Sequence, residues 1–265
     1  MTEVRLNAVQ KRFGAFTAIE SIDLDIKSGE LVALLGPSGC GKTTTLRMIA
    51  GLEAPTKGEV LFDGHDVSDV AVQKRNVGMV FQRYALFPHM TVEKNVTFGL
   101  DVRGLPKKEI SERLEEILEV VQLNKFRKRF PAQLSGGQMQ RVAIARTLIT
   151  KPSVLMMDEP LANLDTKLRG EMRRFIRDLQ KRLGITTIFV THDQVEAMEL
   201  ADRVAVIFNG KLAQFGAPQE LYQQPNSTEV ADFMGASNIF SAKLVAADRA
   251  ETSFGTIDIM SQPDL

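Results

Sequence analysis

Apolar positions along this chain switch between two periods, and each switch marks an element. "VRLNAVQKRF" at 4–13 reads as strand, and "SIDLDIKSGE" at 21–30 alternates through Ile22, Leu24 and Ile26 like a strand with one buried face. "LVALLG" at 31–36 is short and apolar throughout, which predicts a strand covered on both sides. A helix is expected from Lys42 to about Ala50, stopped by Gly51, and "GEVLFDG" at 58–64 reads as a further strand closed by a turn. From Pro106 to about Gln122 the period lengthens. Ile110, Leu114, Ile117, Leu118 and Val121 recur at helical spacing, with Glu and Lys on the other face. A second helix is expected from Ser135 to about Thr150. Strand patterns return at "SVLMMD" (153–158), "ITTIFV" (185–190) and "RVAVIF" (203–208), with helices between them. The whole reads as an α/β fold with a mostly parallel sheet and a helical insertion. After Gly235, "NIFSAKLVAADRAETSFGTIDI" reads as short strands, too few to bury a core alone.

Composition narrows the function classes. The 265 residues are 44% hydrophobic and 25% charged, which suits one large domain with an appendage. Lys plus Arg and Asp plus Glu both number 33, and the resulting zero net charge argues against a nucleic-acid partner. No apolar run approaches the roughly 18 residues of a membrane span, and the start lacks a signal-peptide pattern. A soluble, cytoplasmic chain is expected. Cys40 is the only cysteine, so neither an internal disulfide nor a cysteine metal cluster can form.

"GPSGCGKTT", from Gly36 through Pro37, Ser38, Gly39, Cys40, Gly41, Lys42 and Thr43 to Thr44, follows a strand and opens a helix. It fits G-x-x-x-x-G-K-[ST], the P-loop, in the context that motif requires. Its glycines let backbone N–H groups approach phosphate oxygens, Lys42 suits the β and γ phosphates, and the Thr43 hydroxyl suits Mg²⁺. "VLMMDEP" at 154–160 ends an apolar strand in Asp158 and Glu159. Ligands of open α/β sheets bind at the carboxyl ends of strands. There Asp158 could hold Mg²⁺ through water, and Glu159 could polarise an attacking water. Gln82 also follows a strand and could reach the metal or the water.

His192 ends "ITTIFV" and precedes a helix that Asp193 and Glu196 could cap as D-x-x-E; it could also hydrogen-bond a γ-phosphate. Phe13, before Gly14, could stack on adenine or merely pack. The cluster Tyr84, Leu86, Phe87, Pro88 and Met90 could be core or a docking surface. "LSGGQ" at 134–138 puts Gly136 and Gly137 after Ser135, a nest suited to an anion, yet Ser135 and Gln138 also form a capping box. Near Lys42 and a helix start, the Cys40 thiol is expected to be reactive.

Phe13, "GPSGCGKTT", Gln82, "LSGGQ", "VLMMDEP", "LANLD" and "THD" occur in this order in one chain. In this the chain resembles the ATP-binding subunits of ABC transporters over residues 1 to about 240. "YALFPHMTV", "LDTKLR" and "THDQVEAMELADR" are similar to the importer ATPases for maltodextrin, polyamines, ferric iron and sulfate. The resemblance implies a RecA-like P-loop NTPase core with an antiparallel β subdomain and an inserted helical subdomain. The ATPase domain would be 1–235, its helical part about 88–152, and 236–265 the start of a β-rich regulatory domain that is lost or truncated. It implies ATP and Mg²⁺, with Thr43, Gln82 and Asp158 at the metal and Lys42, Gln82, Glu159 and His192 in hydrolysis. It implies a head-to-tail pair of copies in which Ser135, Gly136, Gly137, Gln138 and Asp165 serve the partner's nucleotide. It implies permease subunits docking near Gln82 to Met90, an extracytoplasmic solute receptor acting indirectly, and a peripheral place on the cytoplasmic face of the membrane. Ala162 stands where the family usually has serine, and "GASNIF" leans toward polyamine-type relatives.

Two other classes compete. A soluble ABC ATPase acting on DNA or ribosomes would carry long coiled coils or two cassettes, and neither is present. A P-loop kinase or switch GTPase would not explain "LSGGQ", and no N-K-x-D stretch occurs.

Overall fold

Five consecutive buried residues, Leu31–Leu35, form the strand about which the molecule is layered. Leu31, Ala33 and Leu35 join one apolar core, while Val32 and Leu34 join another. With a side-chain period of two and no polar position, such a strand must be covered on both faces.

The computed structural model describes residues 2–235, 238–246 and 248–259. Its strands are β1 (Val4–Phe13), β2 (Phe16–Ile26), β3 (Leu31–Leu35), β4 (Lys57–Phe62), β5 (His65–Asp66), β6 (Val77–Val80), β7 (Val154–Asp158), β8 (Thr186–Thr191), β9 (Arg203–Phe208), β10 (Lys211–Gly216), β11 (Lys243–Ala246), β12 (Arg249–Thr252) and β13 (Gly255–Asp258). Its helices are α1 (Lys42–Ala50), α2 (Val92–Val102), α3 (Lys107–Val120), α4 (Gly136–Leu148), α5 (Thr166–Leu183), α6 (Gln194–Leu200), α7 (Pro218–Gln223) and α8 (Thr228–Phe233).

One ten-stranded sheet runs β5-β4-β1-β2-β10-β9-β3-β8-β7-β6. From β9 to β6 every pairing is parallel, whereas β2, β1, β4 and β5 pair antiparallel. A single parallel pair, Lys211 with Ser21, joins the two halves. Since β10 pairs antiparallel with β9, the sheet is parallel mainly over the half that runs from β9 to the edge strand β6. The parallel half puts the ends of β3, β6, β7 and β8 along one edge, where ligands of such sheets bind.

Between β6 and β7 lie α2, α3 and α4. Lys107–Val120 buries Ile110, Leu114, Ile117 and Leu118, the stripe expected from its period. Gly136–Leu148 starts behind Ser135, as the capping box predicts. The first helix of the insert, α2, was not expected. Thr91 caps it, and Val92, Val96 and Leu100 are its buried face. Beyond α8, β11, β12 and β13 form a separate three-stranded sheet in which only Ala250 is buried.

Helix α1 ends at Gly51 in the left-handed conformation, and the buried Arg75 closes it. Its guanidinium donates to the carbonyls of Met48 and Ile49 at 2.7 and 3.0 Å, and to Ser68 and Val70. The Met48 and Ile49 carbonyls belong to the last turn of α1, which has no further helical N–H to bond them.

Candidate functional site

The loop Gly36–Gly41 joins β3 to α1, and its glycines answer first to the protein itself. A Cβ on Gly36 would lie 2.2 Å from the carbonyl oxygen of Ile207 in β9. At Gly41, where φ is 108°, it would lie 2.3 Å from Cδ1 of Ile19. Gly210, in the turn after β9, donates its N–H to the Cys40 carbonyl at 3.0 Å. The loop is therefore moulded against β2 and β9, in addition to offering N–H groups to a ligand.

Lys42 is 5% exposed, and its Nζ donates to the Gly36 and Pro37 carbonyls, both at 2.7 Å. A buried ammonium held by neutral carbonyls suits an incoming anion. The Thr43 hydroxyl donates to Oδ1 of Asp158 at 3.1 Å. Burial raises the Asp158 carboxyl above its ordinary value, as does the neighbouring Glu159, while the Thr43 bond, Arg47 and Lys42 pull it down. One hydroxyl and one carboxylate are hard oxygen donors, the kind Mg²⁺ takes when phosphates and water complete its shell.

Glu159 follows Asp158 in the left-handed region, with φ 44°. A non-glycine residue held there costs roughly 1–3 kcal/mol, and such strain clusters at functional sites. Its N–H donates to Val190 O at 3.1 Å, which fixes it to β8. Two side chains from other loops meet its carboxylate. Gln82, beyond β6, donates Nε2–H to Oε2 at 3.0 Å, and Nδ1 of His192, beyond β8, lies 3.3 Å from Oε1. The Gln82 amide thus turns to the acid rather than to Thr43 or Asp158. His192 and Gln82 restrict how the carboxylate turns, so a water beside it would meet a fixed lone pair.

Asp193 caps α6, accepting from the N–H of Val195 and Glu196 at 2.8 and 3.2 Å. Glu196 does not complete the expected D-x-x-E box. Its buried carboxylate accepts from the Thr191 hydroxyl at 2.6 Å, and the same hydroxyl accepts from the Asp193 N–H at 3.0 Å. Both flanks of His192 are tied down by this chain of bonds. Ala162 lines a hollow of about 50 Å³ with Glu159, Arg169, His192 and Glu196.

A cleft of about 360 Å³ runs from the β1–β2 hairpin to Glu159, lined by Phe13, Phe16, Ala18, Ser38, Gly39, Gly41, Lys42, Thr43 and Thr44. Phe13 is 46% exposed, and Lys11 Nζ lies 4.8 Å from its ring centre. Phe16 is its cross-strand partner and escaped the sequence reading. The signal was "FGAF", a two-residue hairpin turn that returns the second ring beside the first. Cys40 lies beneath the loop, 4% exposed, with Sγ 3.7 Å from Lys42 Nζ. Burial leaves the thiol far less accessible than expected.

"LSGGQ" lies apart from this cleft. The Ser135 Oγ accepts from the Gln138 N–H at 3.3 Å, and Gln138 Oε1 accepts from the Ser135 N–H at 3.0 Å. Ser135, Gly137 and Gln138 line a hollow of about 210 Å³ with Arg141 and residues of α5. Asp165 caps α5, accepting from the Leu168 N–H at 3.0 Å. Two residues that the sequence did not single out bind the backbone after β6. Asn163 Nδ2 donates to Gln82 O at 2.6 Å, and Arg146 donates to the carbonyls of Tyr84 and Ala85.

Several known proteins resemble this chain in sequence or in fold. The Fe(3+) ions import ATP-binding protein FbpC of Rhizobium etli is 54% identical over 248 residues, 94% of this chain and 70% of that protein. The sulfate/thiosulfate import ATP-binding protein CysA 2 of Rhizobium meliloti is 53% identical over 246 residues, 91% of this chain and 67% of that one. Among solved structures, cbiO1 of Clostridium perfringens, part of an ABC transporter complex, superposes with a TM-score of 0.78 at 32% identity, over 83% of this chain and 90% of its own. A dimeric ATP-binding cassette in a post-hydrolysis state with ADP and Pi gives a TM-score of 0.70 at 34% identity, over 81% and 98%. Residues 19–162 match the family described as ABC transporter. With these relatives and this cleft, the chain belongs to the ABC transporter family and is one of its ATP-binding, ATP-hydrolysing subunits.

Proposed function

We propose that this chain energises solute import, working as two copies that clasp two ATP molecules between them. The observation that carries the reading is the meeting of Gln82 and His192 on Glu159, beside Lys42 and Thr43. Lys42 exchanges its two carbonyl partners for β and γ phosphate oxygens, and Phe13 lies against the base. Thr43 and Asp158 would hold Mg²⁺, and the ion would supply charge neutralisation at the phosphates. Glu159 accepts the proton of the attacking water, while Gln82 and His192 orient its carboxylate. Ser135, Gly136, Gly137 and Gln138 offer N–H groups and a hydroxyl to the partner's γ-phosphate, with Asp165 nearby. That stretch carries no cation, which suits a phosphate whose charge Lys42 of the other copy already meets. Hydrolysis removes the group both copies hold, so the pair can loosen.

Residues 1–235 form the ATPase domain in this reading, with its helical part near 88–152. The membrane subunits dock near Gln82 to Met90, and a solute receptor outside the membrane acts through them. The chain sits on the cytoplasmic face as a peripheral subunit; among the described residues no helix is long and apolar enough to cross a membrane. Relatives named for Fe(3+) and for sulfate/thiosulfate import favour a small inorganic ion as cargo. They lend no support to the polyamine that "GASNIF" pointed to.

Glu159→Gln tests the catalytic assignment. The amide keeps the shape but takes no proton, so turnover is expected to fall about 10²–10⁴-fold with MgATP binding retained. Size-exclusion chromatography should then show an ATP-dependent dimer. Wild-type turnover or a strictly monomeric variant refutes the role. Co-purification with an integral membrane protein tests the importer reading against a soluble machine.

A further inference from the structure

Between Gln82 and Phe87 the backbone takes a costly path. Tyr84 and Ala85 are both in the left-handed region, at φ 41° and 49°. Consecutive non-glycine residues rarely stay there unless their surroundings hold them. The ends of the segment are pinned by asparagines. Asn163 holds the Gln82 carbonyl at 2.6 Å, and the buried Asn95 bonds both the N–H and the carbonyl of Phe87, at 2.8 and 3.1 Å.

Only one side chain reaches the strained pair's carbonyls among the described residues. Arg146, in α4, donates Nη1–H to Ala85 O at 2.8 Å and Nη2–H to Tyr84 O at 3.0 Å. Its guanidinium carbon lies 5.6 Å from the centre of the Phe87 ring. A planar guanidinium serves the two adjacent carbonyls from two separate nitrogens held in one rigid fork, whereas an ammonium has a single nitrogen on a flexible stem. At the other end of the same helix, a Cβ on Gly136 would lie 3.5 Å from the Tyr84 hydroxyl oxygen. Helix α4 therefore touches this segment twice, once by the fork and once beside its "LSGGQ" start.

We propose that Arg146 is a positioning residue for hydrolysis: it clamps the Tyr84–Ala85 turn and so keeps the Gln82 amide on Glu159. The same clamp makes α4 and the Gln82 segment move as one body. A displacement of the docking segment is then felt both at Glu159 and at the nest offered to the partner copy. The inference rests on the roles given above to Gln82 and Glu159.

Arg83 lies beside the clamped pair and gives a direct probe. In nucleotide-free protein, trypsin cleavage after Arg83 is expected to speed up about tenfold in Arg146→Gln and less in Arg146→Lys. Mass spectrometry of the first fragments reads this site alone, and the thermal midpoint shows that each variant is folded. If Arg146→Gln does not fold, Arg146→Lys carries the test. ATPase rates of the folded Arg146 variant, Gln82→Ala and the double variant complete a cycle. Acting through Gln82, Arg146 should add little to the loss already caused by Gln82→Ala. Unchanged cleavage at Arg83 in the folded variants, or losses that multiply independently, overturns the proposal. If Gln82→Ala hydrolyses at the wild-type rate while cleavage still rises, the reading of Gln82 falls and the clamp itself stands.

Discussion

The two phosphate cradles of the proposed reading, the loop before α1 and the start of α4, are built from opposite materials. The loop before α1 is rich in charge: a buried lysine, two acids and a histidine converge on it from the ends of β3, β7 and β8. The start of α4 has one serine, two glycines and one glutamine, and its side chains close on its own backbone. The first has the charge to hold a triphosphate. The Ser135–Gln138 stretch itself offers only dipoles, with hydrogen bonds to a charged group worth about 1.5–3 kcal/mol each, and the guanidinium of nearby Arg141 is engaged by Val121 and Gln122. In that reading, what separates them is the difference between capturing a ligand and registering that it has been captured.

The largest effect that would break this contrast is at Ser135. Arginine in its place fills the nest but leaves the charged cleft untouched. Ser135→Arg is expected to lower hydrolysis at least about a hundredfold while ATP binding by the monomer stays within about twofold of wild type. Filter binding of labelled ATP decides it. If binding falls along with activity, the two cradles are one.

A middle-sized effect lies at Cys40. The thiol is buried beneath the loop, so maleimide must wait for the loop to open. Labelling is expected to be slow, about tenfold slower again with MgATP, and to abolish nucleotide binding, while Cys40→Ser stays active. Equal labelling with and without MgATP, with activity kept, would detach Cys40 from the cleft.

The smallest concerns Glu196 behind His192. Burial raises its carboxyl above the ordinary range, against the Thr191 bond, Arg169 and Arg173, which lower it. The folded chain then holds this proton more tightly than the unfolded chain does. Its contribution is fully stabilising below the ordinary carboxylate range and is lost as pH rises through the raised value. Glu196→Gln should therefore raise the melting midpoint by about 2 °C near neutral pH, with the gain vanishing toward about pH 4. A variant less stable at neutral pH than at acid pH, relative to wild type, shows that the ionised form is the better partner of Thr191.

Local chemistry was legible where neighbours in sequence act on one another. The run Leu31–Leu35, the cap at Ser135 and the stripe from Ile110 to Leu118 all follow from short-range pattern. Helix α2 was missed because its run holds three valines with Asn95, Thr97, Phe98 and Gly99, all modest or poor helix formers; its buried stripe is what tertiary packing rewards. Glu196 was misread because Thr191 competes with the helix start for its carboxylate. Within the site, the strand-end residues Asp158, Glu159, Gln82 and His192 announce themselves by position. Phe16 needed the hairpin register. Arg146 and Asn163 leave no mark in sequence, because a side chain bonding a backbone carbonyl sixty or more positions away depends on no local residue type.

The moulding of the loop before α1 against β9 and its following turn has a consequence in time. Gly36 fits under the Ile207 carbonyl, and Cys40 is held by Gly210, about 170 positions later. On a ribosome adding about 5–20 residues per second, those partners emerge roughly ten to thirty seconds after the loop itself. Until then the nascent chain has its phosphate-binding sequence without the wall that shapes it. Nucleotide capture therefore waits for the segment through Gly210, by which time the catalytic acids and the whole helical insert have already been made.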